Sequence, residues 1–180
     1  MVTFLIGGAR SGKSTLAVRM GEHHGGSVTF IATAEAFDDD LRERIDRHRA
    51  ERPGHWTTVE APIDLSAAAA SAPAGDLLII DCLTVWLANL LVHQPLPTHR
   101  VASTNAFIGA LRGRAATAEA PTIVVSNEVG LGIHPESEMV RTYRDELGRL
   151  NQAVAAVADR TLLMVAGRAL RLENPWDLLR

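Results

Sequence analysis

The stretch GGARSGKS, residues 7–14, has the spacing G-x-x-x-x-G-K-[ST] that is typical of loops that bind nucleotide phosphates. It follows an apolar run, Val2 to Ile6, and opens a helical pattern from Lys13 to His24. In such a loop, backbone N–H groups hold phosphate oxygens, the lysine contacts the β- and γ-phosphates and the serine hydroxyl completes a Mg²⁺ shell. The alternative is a glycine-rich turn with a chance Lys-Ser pair. The predicted nucleotide-binding residues are Gly7, Gly8, Ala9, Arg10, Ser11, Gly12, Lys13 and Ser14, with Lys13 also a catalytic candidate.

A second Mg²⁺ ligand is expected at the end of a neighbouring apolar strand. The run Leu77 to Ile80 ends in Asp81, so this carboxylate is predicted to hold the metal together with Ser14. Asp81 is also in a position to cap the helix that follows, since aspartate is a common N-cap residue. The two roles are compatible.

The segment RIDRHRAERPGHW, residues 44–56, holds four arginines and two histidines in a slightly acidic chain. Three aspartates precede it and Pro53 closes it, which predicts a helix over Asp39 to Glu51. His48 lies on the apolar stripe of this helix, where nearby guanidinium groups would favour its neutral, nucleophilic imidazole. Arg49 and Arg52 suit bidentate binding of phosphate. The alternative is a structural histidine on a solvated basic helix.

Composition limits the function classes. The chain has 180 residues, a net charge of -3, 47% hydrophobic residues and 22% charged residues, which indicates one globular domain over residues 1–180. The negative charge argues against nucleic-acid binding. The single cysteine, Cys82, excludes an internal disulfide and suits a cytoplasmic protein, and no apolar run reaches the roughly 18 residues needed to span a bilayer.

Apolar runs alternate with helical patterns, which predicts a three-layer α/β fold like that of P-loop NTPases, with a mainly parallel sheet. A short helix is expected at Leu65 to Ala74 and an exposed loop at Gln94 to His99. The tail from Arg171 to Arg180 is expected to dock on the body or on a neighbouring subunit. Strands are predicted at Val2–Ile6, Val28–Ala32, Leu77–Ile80, Thr122–Val125 and Leu162–Val165, and further helices at Lys13–His24, Thr84–His93, Thr104–Thr117 and Glu138–Val157.

From about Thr3 to about Arg168, the chain resembles the family of bifunctional adenosylcobinamide kinases / adenosylcobinamide-phosphate guanylyltransferases of cobalamin biosynthesis. The resemblance rests on GGARSGKS, IATAEAFDDD, RIDRHRAERPGHW, DCLT and SNEVGLGIHPE, in this order. It implies that ATP or GTP phosphorylates adenosylcobinamide, and that GMP then passes from GTP through a GMP-histidine to that phosphate, giving adenosyl-GDP-cobinamide. The guanylylated histidine corresponds to His48. Some relatives have two adjacent histidines here, whereas this chain has Arg47 and His48.

The resemblance carries weaker implications for other residues. It puts Thr33, Ala34, Glu35 and Glu60 near the guanine nucleotide, although a strand-to-helix turn and a surface acid would explain them equally well. Asn127 and Glu128 end a predicted parallel strand, where open α/β folds have their sites. His55 and Trp56 are candidates to stack on a base, and the alternative for Trp56 is packing in the core. The family also implies a homo-oligomer, commonly a trimer.

Two other functions remain open at this point. One is a monofunctional P-loop kinase for a small molecule, in which His48 is structural. The other is a nucleotide-binding regulator without enzymatic activity. The fold alone does not distinguish them from the bifunctional enzyme, because P-loops serve many kinds of chemistry.

Overall fold

A computed structural model of the chain describes residues 1–35, 43, 45, 49–50, 52–117 and 121–179. The strands are β1 Val2–Gly7, β2 Val28–Ala32, β3 Thr57–Glu60, β4 Leu77–Asp81, β5 Thr122–Asn127, β6 Arg160–Val165 and β7 Arg168–Leu172. They form a seven-stranded sheet in the order β3-β2-β4-β5-β1-β6-β7. β1 to β6 are parallel and β7 is antiparallel to β6, so the predicted mainly parallel sheet is confirmed.

Helices cover both faces of this sheet, which explains why the central strands are apolar throughout. Alternate residues of β1 enter different cores: Phe4 packs in the core that holds Trp86 and Phe107, and Leu5 packs in the core that holds Phe30. The predicted three-layer α/β fold is therefore confirmed. The helices are α1 Lys13–His24, α2 Leu65–Ser71, α3 Leu83–His93, α4 Pro97–Ala116, α5 Glu138–Ala155 and a 3₁₀ helix at Pro175–Leu179.

The helix predicted over residues 39–51 falls largely outside the described residues, and His48 is among those not described. Four residues of this segment are described, and all four are helical: Glu43, Ile45, Arg49 and Ala50. No helix in the described part of the chain combines the length and apolar character needed to cross a bilayer.

Three predictions outside the site need correction. The loop expected at Gln94 to His99 is helical from Pro97, because proline suits the first position of a helix, where its missing N–H is not needed. β7 was not predicted, since all its residues are exposed and its sequence lacks an apolar run. The tail leaves Trp176, Leu178 and Leu179 exposed, so docking on the body is not found among the described residues, and docking on a neighbouring subunit stays a prediction.

A buried ion pair fixes the connection between α3 and α4. Arg100 donates from Nε and Nη2 to the two carboxylate oxygens of Glu146 on α5, at 2.9 and 2.6 Å. Its Nη1 donates to the carbonyl oxygens of Gln94 and Pro95, at 2.9 and 2.8 Å. The guanidinium is thus satisfied on every side, and the Glu146 carboxylate raises its pKa. The Arg100–Glu146 pair thereby connects the turn before α4 to α5.

We expect Glu146→Ala to lower the free energy of unfolding by about 2–4 kcal/mol, because it leaves the buried Arg100 charge without its partner. Urea denaturation measures the change. Asp145→Ala is the matched control: this neighbouring acid is 52% exposed and its pair with Arg144 is worth about 1 kcal/mol or less. Equal losses in the two variants would contradict the assignment.

Candidate active site

The predicted site residues that the structure describes lie along one edge of the sheet. The edge is formed by the carboxyl ends of the parallel strands. Strand register pairs Gly7 with Asn127, Asp81 with Ala32, and Ala32 with Glu60. Since open α/β sheets bind ligands at this edge, the arrangement forms one candidate site that runs from β3 to β1.

The glycine-rich loop joins β1 to α1. Gly8, Ala9 and Arg10 are exposed to solvent, whereas Ser11 is buried. α1 begins after Gly12, whose φ of 95° lies in the left-handed region that glycine adopts without strain. No hydrogen bond from a side chain caps this helix end among the described residues, so its first N–H groups are suited to an anion.

The turn between β6 and β7 packs against the phosphate loop. Gly167 N donates to Ser11 O at 3.0 Å. Gly7 lies against β6 so closely that a Cβ atom there would be 2.2 Å from the carbonyl oxygen of Met164. Position 7 therefore has to be glycine, because β6 leaves no room there for a side chain.

Lys13 is held inside the loop. It is 6% exposed, and its Nζ donates to Gly8 O at 2.7 Å and to Ser11 Oγ at 3.2 Å. Burial lowers the pKa of Lys13, and the nearby Cys82 and Asp81 oppose this effect. A phosphate that enters the loop would add negative charge beside a poorly solvated ammonium group, where Coulomb attraction is strong. The electrostatics thus favour an anionic ligand.

Ser14 and Asp81 provide the donor types that Mg²⁺ prefers. Both residues are partly exposed, one at the start of α1 and the other at the end of β4. Among the described residues, no three or more His, Cys, Asp or Glu side chains form a group that could hold a metal. Mg²⁺ does not need such a group, because it takes one or two carboxylates and completes its shell with phosphate oxygens and water.

Thr33 fixes the backbone that follows Asp81. It is fully buried; its Oγ1 donates to Cys82 O at 2.7 Å and accepts from Cys82 N at 2.9 Å. Asn89 of α3 donates from Nδ2 to Thr33 O at 2.8 Å and to Pro62 O at 3.0 Å. Asn89 thereby joins the segments after β2 and β3. Asn89 was not predicted, although a single amide among the apolar residues of α3 indicates a buried hydrogen bond.

The basic segment approaches the same edge from the side of β3. Arg49 Nη1 lies 3.6 Å from Glu60 Oε1, with both side chains largely exposed. The Arg52 guanidinium carbon lies 3.8 Å above the ring of Phe30. Trp56 is buried and stacks near Phe30, with ring centroids 6.5 Å apart, so of its two alternatives the structure favours packing. Arg49 thus reaches the edge at Glu60, whereas Arg52 lies against the middle of β2, and His48 is not among the described residues.

Two more predicted residues lie beside β2. Ala34 and Glu35 follow Thr33 and are both partly exposed. Glu35 Oε2 lies 3.0 Å from His93 Nε2 at the end of α3. The segment therefore follows β2 at the same edge as Glu60 and Asp81, and its contact with the guanine nucleotide stays a prediction.

The end of β5 adjoins the phosphate loop. Glu128 N donates to Gly7 O at 3.1 Å, and Asn127 N donates to Thr84 Oγ1 at 2.8 Å. Asn151 of α5 donates from Nδ2 to Asn127 O at 3.0 Å. Thr84 and Asn151 were not identified from the sequence, because their partners lie far along the chain.

Residues 3–172 match the model of the cobinamide kinase / cobinamide phosphate guanyltransferase family. The chain belongs to this family. The bifunctional adenosylcobalamin biosynthesis protein CobP of Pseudomonas aeruginosa is 45% identical over 178 residues, which cover 97% of this chain and 98% of the relative. The protein CobU of Salmonella typhimurium, with the same description, is 35% identical over 184 residues, which cover 96% and 100%. The predicted family membership is confirmed.

Among solved structures, the RadB recombinase superposes with a TM-score of 0.54 at 16% identity, and the match covers 90% of this chain and 73% of that one. At this level of identity the likeness concerns the fold alone. It agrees with the predicted P-loop α/β architecture, and the cobinamide kinase family carries the functional argument.

We expect Gly7→Ala to lower the free energy of unfolding by about 1–3 kcal/mol, because the new Cβ meets a backbone oxygen that cannot rotate away. Gly8→Ala is the control, since a Cβ there has no atom within 4 Å among the described residues. Thermal and urea unfolding of the two variants gives the comparison. A Gly7→Ala protein as stable as Gly8→Ala would refute the close packing of β1 on β6.

Proposed function

We propose that this protein phosphorylates adenosylcobinamide with ATP or GTP, and then transfers GMP from GTP to the new phosphate to give adenosyl-GDP-cobinamide. The observation that carries the proposal is a nearly full-length match to the family, in a chain whose phosphate loop, Asp81 and Arg49 border one edge of the sheet. A monofunctional P-loop kinase is the alternative, and its loop and Asp81 would be the same.

In the kinase step, the residues of the phosphate loop hold the triphosphate. Backbone N–H groups from Gly8 to Ser14 surround the phosphate oxygens, and Lys13 turns from Gly8 O and Ser11 Oγ to the β- and γ-phosphates. Ser14 and Asp81 are the proposed Mg²⁺ ligands. When bound, Mg²⁺ neutralises charge that develops on the transferring phosphoryl group. The acceptor hydroxyl attacks the γ-phosphorus, and the nucleoside diphosphate leaves.

In the transferase step, the nucleophile is the neutral imidazole of His48. A ring nitrogen attacks the α-phosphorus of GTP while the bond from that phosphorus to pyrophosphate breaks. A phosphate oxygen of adenosylcobinamide phosphate then attacks the GMP-histidine and releases the imidazole. The same triphosphate site thus serves two reactions, and the nucleophile presented to it decides which phosphorus reacts.

The remaining proposed nucleotide contacts come from the β2 and β3 side. Arg49 is a suitable phosphate ligand because its exposed pair with Glu60 is weak and easily exchanged. Arg52 is proposed to act beside it, with its guanidinium stacked on Phe30. Glu60, Glu35 and the segment from Thr33 to Ala34 are proposed to border the guanine.

We further propose that the protein works in the cytoplasm as a homo-oligomer, in line with the trimer that the family resemblance implies. The exposed side chains of Trp176, Leu178 and Leu179 support a contact with another subunit, since large apolar side chains grouped on a surface mark interaction sites.

The decisive test uses GTP radiolabelled at the α-phosphate. Denatured wild-type protein should retain a label that is labile in acid and stable in base, as expected for a phosphoramidate, and His48→Ala should reduce it to background. Lys13→Ala should also lose the label, because the triphosphate is no longer held. His99→Ala is the matched control, since His99 is an exposed histidine of α4 with no proposed role and should leave labelling unchanged.

The outcomes separate the alternatives. A wild-type protein that phosphorylates adenosylcobinamide without retaining label would support the monofunctional kinase. A protein that binds GTP but converts no adenosylcobinamide in a coupled assay would support the regulator. A label that persists in His48→Ala would assign the intermediate to a different residue.

A further inference from the structure

An exposed apolar surface lies beside the phosphate loop. It comprises the segment after β5 and the first turn of α5, residues 128–140, and we name it the β5–α5 surface. Leu131 is 89% exposed and Ile133 is 95% exposed. Exposed aliphatic side chains that are grouped on a surface often mark a site that binds a ligand or a partner. The other exposed apolar members are Val129, Met139 and Val140.

Hydrogen bonds hold this surface in a defined shape. Its first residue, Glu128, donates from its backbone to Gly7 O at 3.1 Å and accepts at Oε1 from Gly130 N. At the other end, Arg141 Nη1 donates to the carbonyl oxygens of Pro135 and Glu136. The surface is therefore joined directly to the start of the phosphate loop.

The side chains of this surface carry more negative than positive charge, which disfavours phosphate as its ligand. Residues 128–140 include Glu128, Glu136 and Glu138 and no lysine or arginine, and the adjoining Arg141 donates from Nη1 to backbone carbonyl oxygens of this segment. Such a surface repels nucleotide phosphates and attracts a ligand that is apolar and cationic. Adenosylcobinamide has both properties, since its corrin ring carries methyl groups around a cobalt centre and the complex has a net positive charge.

The β5–α5 surface lies where the acceptor has to bind. In the proposed kinase step, the acceptor must bring a hydroxyl to the γ-phosphate in the loop after β1, so its bulk must lie next to that loop. The pairing of Gly7 with Asn127 brings the β5–α5 surface directly beside this loop. β2 and β3, which flank the basic segment in the sequence, lie farther along the edge from this loop.

We propose that the β5–α5 surface binds the corrin macrocycle of the acceptor, with Leu131 and Ile133 as its main apolar contacts. This inference rests on the proposed function and adds the place where the acceptor binds. The side chains cover the edge of the ring, and Glu136 and Glu138 face its positive charge. A second copy of the chain is the competing occupant.

The test compares Leu131→Ser/Ile133→Ser with wild type. Equilibrium dialysis of adenosylcobinamide and steady-state kinetics should give roughly a ten-fold or greater rise in Kd and KM, because each aliphatic side chain loses much of its burial. At saturating acceptor, kcat should change little. ATP affinity and labelling of the free enzyme by GTP should be unchanged, since neither needs the corrinoid.

Leu96→Ser/Val101→Ser is the matched control, because it removes two exposed aliphatic side chains elsewhere on the surface. Light scattering of each variant gives the molar mass. Unchanged Kd and KM for adenosylcobinamide in Leu131→Ser/Ile133→Ser would overturn the proposal. A loss of affinity accompanied by a change in molar mass would also overturn it, because the surface would then be a contact with a second copy of the chain. A wild-type protein that binds adenosylcobinamide without converting it would refute the proposed function instead, and dialysis would still decide the binding surface.

Discussion

Parallel pairing of the strands is the constraint on which the rest of the structure depends. Because β1, β5, β4, β2 and β3 run in the same direction, their carboxyl ends meet at one edge, and residues far apart in sequence become neighbours there. Gly7 faces Asn127 through β1 and β5, and Asp81 faces Ala32 through β4 and β2. A shift of register by one residue would move these groups to new partners and reverse the two faces of each strand.

Hydrogen bonds then convert this alignment into a defined site. Thr33 binds both backbone groups of Cys82, and Asn89 binds the carbonyl of Thr33, so the residue after Asp81 is fixed from two layers of the fold. Burial also raises the pKa of Cys82 to about 11, which keeps the thiol neutral beside Asp81. The Asp81 carboxylate thus lies beside a neutral thiol and close to Lys13, in the position where a metal ion and phosphates are proposed to bind.

The sequence predicted those parts of the site that depend on local order. The loop from Gly7 to Ser14 and the strand that ends at Asp81 are contiguous patterns, and each implies its own conformation. Asn89 and Thr84 escaped prediction because they act on residues 56 and 43 positions away. β7 escaped because an exposed strand has no apolar pattern, and α4 was predicted too short because its first turn carries little apolar periodicity.

The order of the strands bears on how one site performs two reactions. In the proposed mechanism the triphosphate is held by the loop after β1, while the two nucleophiles arrive from different strand ends. The corrinoid hydroxyl is proposed to come from the surface after β5, directly beside that loop. His48 is proposed to come from the connection between β2 and β3, two strands that lie on the other side of β4. Nucleophiles that approach from opposite sides of Asp81 need not compete for the same space, and each meets a different phosphorus of one extended triphosphate. Selection between kinase and transferase chemistry is then a matter of geometry, which a single set of phosphate ligands can serve.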